Sequence, residues 1–173
     1  MSTFTQTWVT GLFTSRSAAE DAFNAAVRAG YRHEDISVLM TDKSRTTHFA
    51  QAAGENRDET ATTMSVGGAV GGSVVAVLAA IAATGTAIAF PGIGLVVAGP
   101  IAAALAGAGA GGATGGLIGA IMGAGIPERH AKFYHAGLLD GGIVIGVKAA
   151  SKEHEIKLER WLERSGAEKV NAT

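Results

Sequence analysis

The chain has 173 residues, 14 of them basic and 15 acidic, a formal net charge of −1 and no cysteine, which excludes a disulfide framework and thiol chemistry. Every charged residue lies in Arg16–Glu59 or Glu128–Lys169, with both signs mixed in each, so there is no basic patch and nucleic acid is not an expected partner. The length fits one domain, or one domain carrying a large insertion.

Met1–Phe13 lacks the basic start and apolar run of a secretory signal, which points to the cytoplasm. Residues 1–41 read as strand, helix, strand. Trp8–Phe13 has mixed strand character. Ser17-Ala18-Ala19-Glu20 has the form of a capping box. Ala22, Phe23, Ala26 and Val27 follow at helical spacing, and Gly30 is a helix stop. Ile36–Met40 is a short strand. Residues 42–63 form a polar linker, with Asp42–Glu59 as a loop or frayed helix.

Thr60–Pro127 contains no charged residue. Within it, residues 64–125 read as an apolar helical hairpin. Its first helix covers Met64–Phe90, Pro91-Gly92-Ile93-Gly94 breaks it, and Pro100 opens a second helix running to about Gly125. Each exceeds the roughly 20 residues needed to cross a bilayer. Gly107, Gly111, Gly115, Gly119 and Gly123 recur every fourth residue. On a helix they share one face and form a groove that admits another backbone, as small-xxx-small motifs do in membranes. Gly68, Gly72, Ala76 and Ala80 make a matching row on the first helix. Helical glycine costs about 1 kcal/mol against alanine. Summed over these stretches, the penalty rivals the roughly 5–15 kcal/mol stability of an ordinary domain. Lipid or tight helix–helix contact is therefore expected to hold the segment.

Residues 126–173 read as helix, strand, helix, strand. Pro127 suits the first helical position, and Phe133, Tyr134 and Leu138 give that helix an apolar side, stopped by Gly141-Gly142. Gly142–Val147 is a strand rich in β-branched residues. Ser151 caps the next helix, with Ile156, Leu158, Trp161 and Leu162 as its buried side and Gly166 as its stop. Glu168–Asn171 is a last short strand. Two strand–helix–strand units are what a split ferredoxin-like α+β sandwich requires, here with the long apolar hairpin inserted after the second strand.

Several stretches together resemble the bacterial general stress and low-temperature-induced protein family with a central glycine-zipper segment. They are Ala29-Gly30-Tyr31 leading into Asp35–Leu39, Phe90–Gly94, Gly123–Glu128 running into Ala131 and Tyr134, Gly141-Gly142, and Ser165–Glu168. The resemblance implies a stress-associated protein and no known enzyme activity, so it supplies no catalytic residues.

Gly107-Ala-Gly109-Ala-Gly111-Gly112 matches the dinucleotide fingerprint G-x-G-x-x-G in letters only. No β-strand is read before it, and the next acid, Glu128, belongs to another helix. His33, His48, His130, His135 and His154 form no i, i+4 pair and no H-E-x-x-H motif, so no metal site is expected. Glu153 and Lys157 form a solvated helical pair. Trp161 reads as core, and Trp8 as strand core or lipid interface. No catalytic residue and no cofactor is expected.

The expected function is that of a non-enzymatic stress-associated protein. It homo-oligomerises through its glycine rows in or on the cytoplasmic membrane, with lipid as a partner and both termini cytoplasmic. Two alternatives follow from the same residues. One is a soluble cytoplasmic ring or shell with the apolar hairpins buried in its centre. The other is a small-ligand sensor using the ferredoxin-like domain.

Overall fold

The structure, a computed structural model, describes residues 7–32, 35–55, 86–90, 93–99, 101, 116–119, 121–123 and 125–172; of 49–55, 86–90 and 93–95 it describes the backbone alone. Among the described residues the protein is α+β, with a six-stranded antiparallel sheet. In chain order the elements are β1 (Thr7–Phe13), α1 (Arg16–Arg28), β2 (Ile36–Thr41), α2 (Asp42–Glu55), β3 (Thr86–Phe90), β4 (Ile93–Ala98), α3 (Glu128–Leu139), β5 (Ile143–Ala149), α4 (Lys152–Arg164) and β6 (Glu168–Ala172). The strands lie in the order β3-β4-β2-β5-β1-β6. β1 and β2 therefore run parallel with β5 between them. β5 and β6 likewise run parallel with β1 between them.

Local sequence accounts for the helices. Ser15 caps α1, its hydroxyl accepting from the Ala18 amide at 3.3 Å. The cap expected at Ser17 thus falls two residues earlier, with Ala18 rather than an acid at the third helical position, and Glu20 pairs instead with Arg16 at 2.5 Å. Ser151 caps α4 as expected, accepting from the His154 amide at 3.2 Å. Pro127 sits one position before α3, which starts at Glu128. At Gly30, Gly141 and Gly166 the helices end in paired reverse bonds, such as Tyr31 N to Ala26 O at 3.1 Å beside Gly30 N to Val27 O at 3.0 Å. All three glycines have positive φ, the geometry of a Schellman stop. Asp42–Glu55, expected as loop or frayed helix, is the helix α2.

Among the described residues, the insertion differs from its sequence reading at Thr86–Phe90. Thr86–Phe90, expected as the end of a long helix, is strand β3. It pairs with β4, Phe90 opposite Ile93, across the two residues Pro91-Gly92. Thr86, Ile88, Ile93, Val96 and Val97 are β-branched and favour a pleated surface, and β4 pairs with the flank of β2 that would otherwise be a bare edge. Of the second apolar helix, expected from Pro100 to about Gly125, Ile101, 116–119 and 121–123 are helical, Gly116 with a φ of +62°, and 102–115, 120 and 124 lie outside the described residues. The stop at Gly125 stands, with Ile126 N to Ile121 O at 3.4 Å and Gly125 N to Met122 O at 2.9 Å. The remainder of the expected first helix, residues 64–85, lies outside the described residues.

Strand alternation sends side chains to two cores. Val9, Phe13, Val38, Met40, Ile145 and Val147 meet α1 and α4 on one face. Leu12, Leu39, Val97 and Val144 meet α3 and Ile101, Leu117, Ile121 and Ile126 on the other. In α4 the buried residues are Glu155, Leu158 and Leu162. Ile156, expected among them, is 40% exposed, because it falls one residue out of the 155–158–162 stripe. Trp161 is half-buried against the first core and Trp8 against the second.

Gly99 makes the turn from β4 onto the second face. Its φ is +86°, and a Cβ there would lie 2.2 Å from the Ile36 carbonyl oxygen. Gly99→Ala should cost about 3 kcal/mol or more, from strained backbone plus collision. Gly30→Ala, at φ +92° with nothing near a Cβ, should cost only about 1 kcal/mol. Urea midpoints of the two variants measure the difference.

Candidate functional site

Leu117 and Ile121 are one helical turn apart and nearly fully buried. They lie in helical stretches 116–119 and 121–123 and pack into the second core. Gly119 and Gly123 are each two residues further along, about 200° around a helix. Gly119 is accordingly half-buried and Gly123 exposed. Met122 beside them is 42% exposed. Leu117 and Ile121 thus grip the sheet, while Met122 and Gly123 lie exposed on the side away from it.

Gly68, Gly72, Ala76, Ala80, Gly107, Gly111 and Gly115 lie outside the described residues. Of the five-glycine row, Gly119 and Gly123 are among the described residues. Gly119 and Gly123 do share a face.

The segment is seated by polar contacts that its apolar sequence did not advertise. The Ile101 amide donates to the Ser37 hydroxyl at 3.1 Å, within the buried sheet. Alongside, Tyr134 of α3 is fully buried. Its hydroxyl lies 2.9 Å from Thr10 Oγ1, 3.0 Å from the Thr10 carbonyl oxygen and 3.1 Å from the Lys169 carbonyl oxygen. Burial pushes this phenol up to about 12, against a smaller downward pull from the Thr10 hydrogen bond. It is a neutral donor that ties α3 to β1 and β6. Thr10 Oγ1 also lies 3.3 Å from the Asn171 carbonyl oxygen, to which it can donate. Sequence periodicity marked Tyr134 as apolar. The one hint of its polar role was a phenol opposite a strand carrying a threonine.

Around this network sit His130, one turn before Tyr134 with its ring 6.4 Å away, and Lys169, whose ammonium lies 4.9 Å over the Phe133 ring. His130 Nδ1 and Asn171 Nδ2 are buried and have no partner among the described residues. Burial first, then the cations Arg129 and Lys169, hold the His130 imidazole below its ordinary value. Among the described residues, no group of three His, Asp or Glu side chains could hold a metal ion. His33 lies outside the described residues. No protein-family model, curated protein or solved structure matches the chain.

Two predictions follow from the network. Tyr134→Phe removes the buried donor and should cost about 1–3 kcal/mol, lowering Tm by roughly 3–10 °C. A thermal melt at pH 7 reads it. His130 has a folded value below its unfolded 6.5, so the unfolded chain binds more protons just below that pH. Its contribution is present above about pH 6.5 and is lost as pH falls through and below it. Stability measured from pH 7.5 to 5 should fall less steeply in His130→Phe than in the parent chain.

Proposed function

We propose that the protein is a non-enzymatic, stress-associated protein that homo-oligomerises through the glycine surface of its apolar insertion, in or on the cytoplasmic membrane. One observation carries the self-association. Leu117 and Ile121 hold their segment against the sheet, and Gly119, Met122 and Gly123 are left on its outer side. A surface without side chains, beside an exposed methionine, suits close approach by a second backbone. The stress association rests on the resemblance of stretches such as Ala29–Tyr31 and Gly123–Glu128 to the glycine-zipper stress family.

In this reading the platform is a ferredoxin-like domain. Support comes from the order β2-β5-β1-β6 and from the two units β1-α1-β2 and β5-α4-β6, each with a strand of the other between its own two. The β3–β4 hairpin and the helical cover on the second face are additions to that topology.

The membrane location follows from the charge-free Thr60–Pro127 run. Among the described residues, no helix is long and apolar enough to cross a membrane. A second reading, a soluble ring or shell, draws support from Ile101, Leu117 and Ile121, which are buried against the protein's own sheet rather than left for lipid.

Gly123→Leu tests the self-association. The position is exposed, so the variant should unfold within about 0.5 kcal/mol of the parent. Light scattering should nonetheless show a smaller particle. An unchanged particle with an unchanged melt would sink the proposal. Washing the membrane fraction with alkaline carbonate separates the two locations. Retention until detergent is added supports lipid insertion, and release as a large soluble particle supports the shell.

A further inference from the structure

A cleft of about 850 Å³ opens between the C-terminal end of α1 and α4, on the first face of the sheet. It lies on the opposite side of the sheet from the glycine segment and owes nothing to it. Its volume falls within the roughly 300–1,000 Å³ of small-molecule sites. The space exists because the sequence puts alanine where the elements converge: Ala25 and Ala29 on α1, Ala149 and Ala150 at the end of β5. Larger residues there would close it.

The cleft is lined by two aromatic residues, Tyr31 and Trp161. Tyr31 is braced by His154, whose ring meets it edge-on at 6.2 Å. Lys157 also lines the cleft, as does Lys148 near the end of β5. The Lys157 ammonium acts on the Tyr31 phenol, opposing the rise that burial imposes. Among the described residues, that ammonium pairs with Glu153 at 2.7 Å, with both side chains more than two-thirds exposed. Such a pair is worth little, so a carboxylate of a ligand can replace it. The acid of the cleft, Asp35, is paired with Arg32 at 3.3 Å, which leaves its repulsion of an anion partly neutralised.

We infer that this cleft binds a small planar aromatic carboxylate, its ring against Tyr31 and Trp161 and its carboxylate on Lys157. The lining combines aromatic side chains, four alanines and two lysines, of which Lys157 acts on the Tyr31 phenol. Ring stacking supplies contact area, and the ammonium supplies selection for an anion.

Isothermal titration of the full chain with 2-naphthoate, and with the neutral 2-naphthalenemethanol, tests it. Naphthoate should bind saturably at one site, at least about tenfold more tightly than the alcohol. Lys157→Met should remove that preference and leave the alcohol unchanged. Ala29→Leu should abolish both titrations while the chain still melts cooperatively. If that variant does not fold, Ala150→Leu, at an exposed position, replaces it. No binding of naphthoate, equal affinity for the alcohol, or binding that survives the filling of the cleft would each overturn the inference.

Discussion

The constraint on which the structure depends is that its sheet can tolerate water on neither face. Along β1, β2 and β5 nearly every residue is buried. Antiparallel sheets commonly leave one face solvated and show it as alternation of apolar and polar residues. Here Leu12, Leu39 and Val144 face one way while Phe13, Val38 and Ile145 face the other. The first face is covered by α1 and α4. The second takes α3 together with Ile101, Leu117, Ile121 and Ile126, all but α3 supplied by the insertion or its exit. The insertion is thus a working layer of the domain, and a chain lacking it would expose an apolar sheet face.

A second requirement comes with that cover. Thr10 and Ser37 are buried polar residues in an otherwise apolar sheet. Burying a hydroxyl without a partner costs free energy. Tyr134 serves Thr10, and the Ile101 amide serves Ser37. Each bond joins the sheet to the layer above it at a fixed place. Burial alone would let the cover slide, whereas these directional bonds set its register.

The elements with strong local signals were legible in the sequence. Ser151, Gly30, Gly141 and Gly166 mark helix ends by backbone chemistry that needs no tertiary context. Ile143–Val147 declares a strand by β-branching. The apolar insertion was harder to read. Thr86–Phe90 is too short a run to fix a helical or strand period by itself, so by continuity with the apolar stretch before it the run reads as helix. What decides it is the flank of β2, a partner invisible to a local window. The capping box at Ser17 failed for a milder reason: Ser15, Ser17 and Glu20 offer overlapping signals, and Arg16 competes for the glutamate. The cleft left no sequence signal beyond alanines that read as helix formers.

The placement of β1 has a consequence for how the protein is made. Both neighbours of β1, β5 and β6, follow the insertion in the chain. Thr10 meets Tyr134 only after 124 further residues, a wait of roughly 6–25 s at ordinary translation rates. During that interval the nascent chain holds an unpaired apolar strand, and the glycine-rich segment leaves the ribosome before the sheet that will anchor it can close. Neighbouring nascent chains, or whatever chaperone or surface shelters them, therefore meet the insertion first and the finished sheet second.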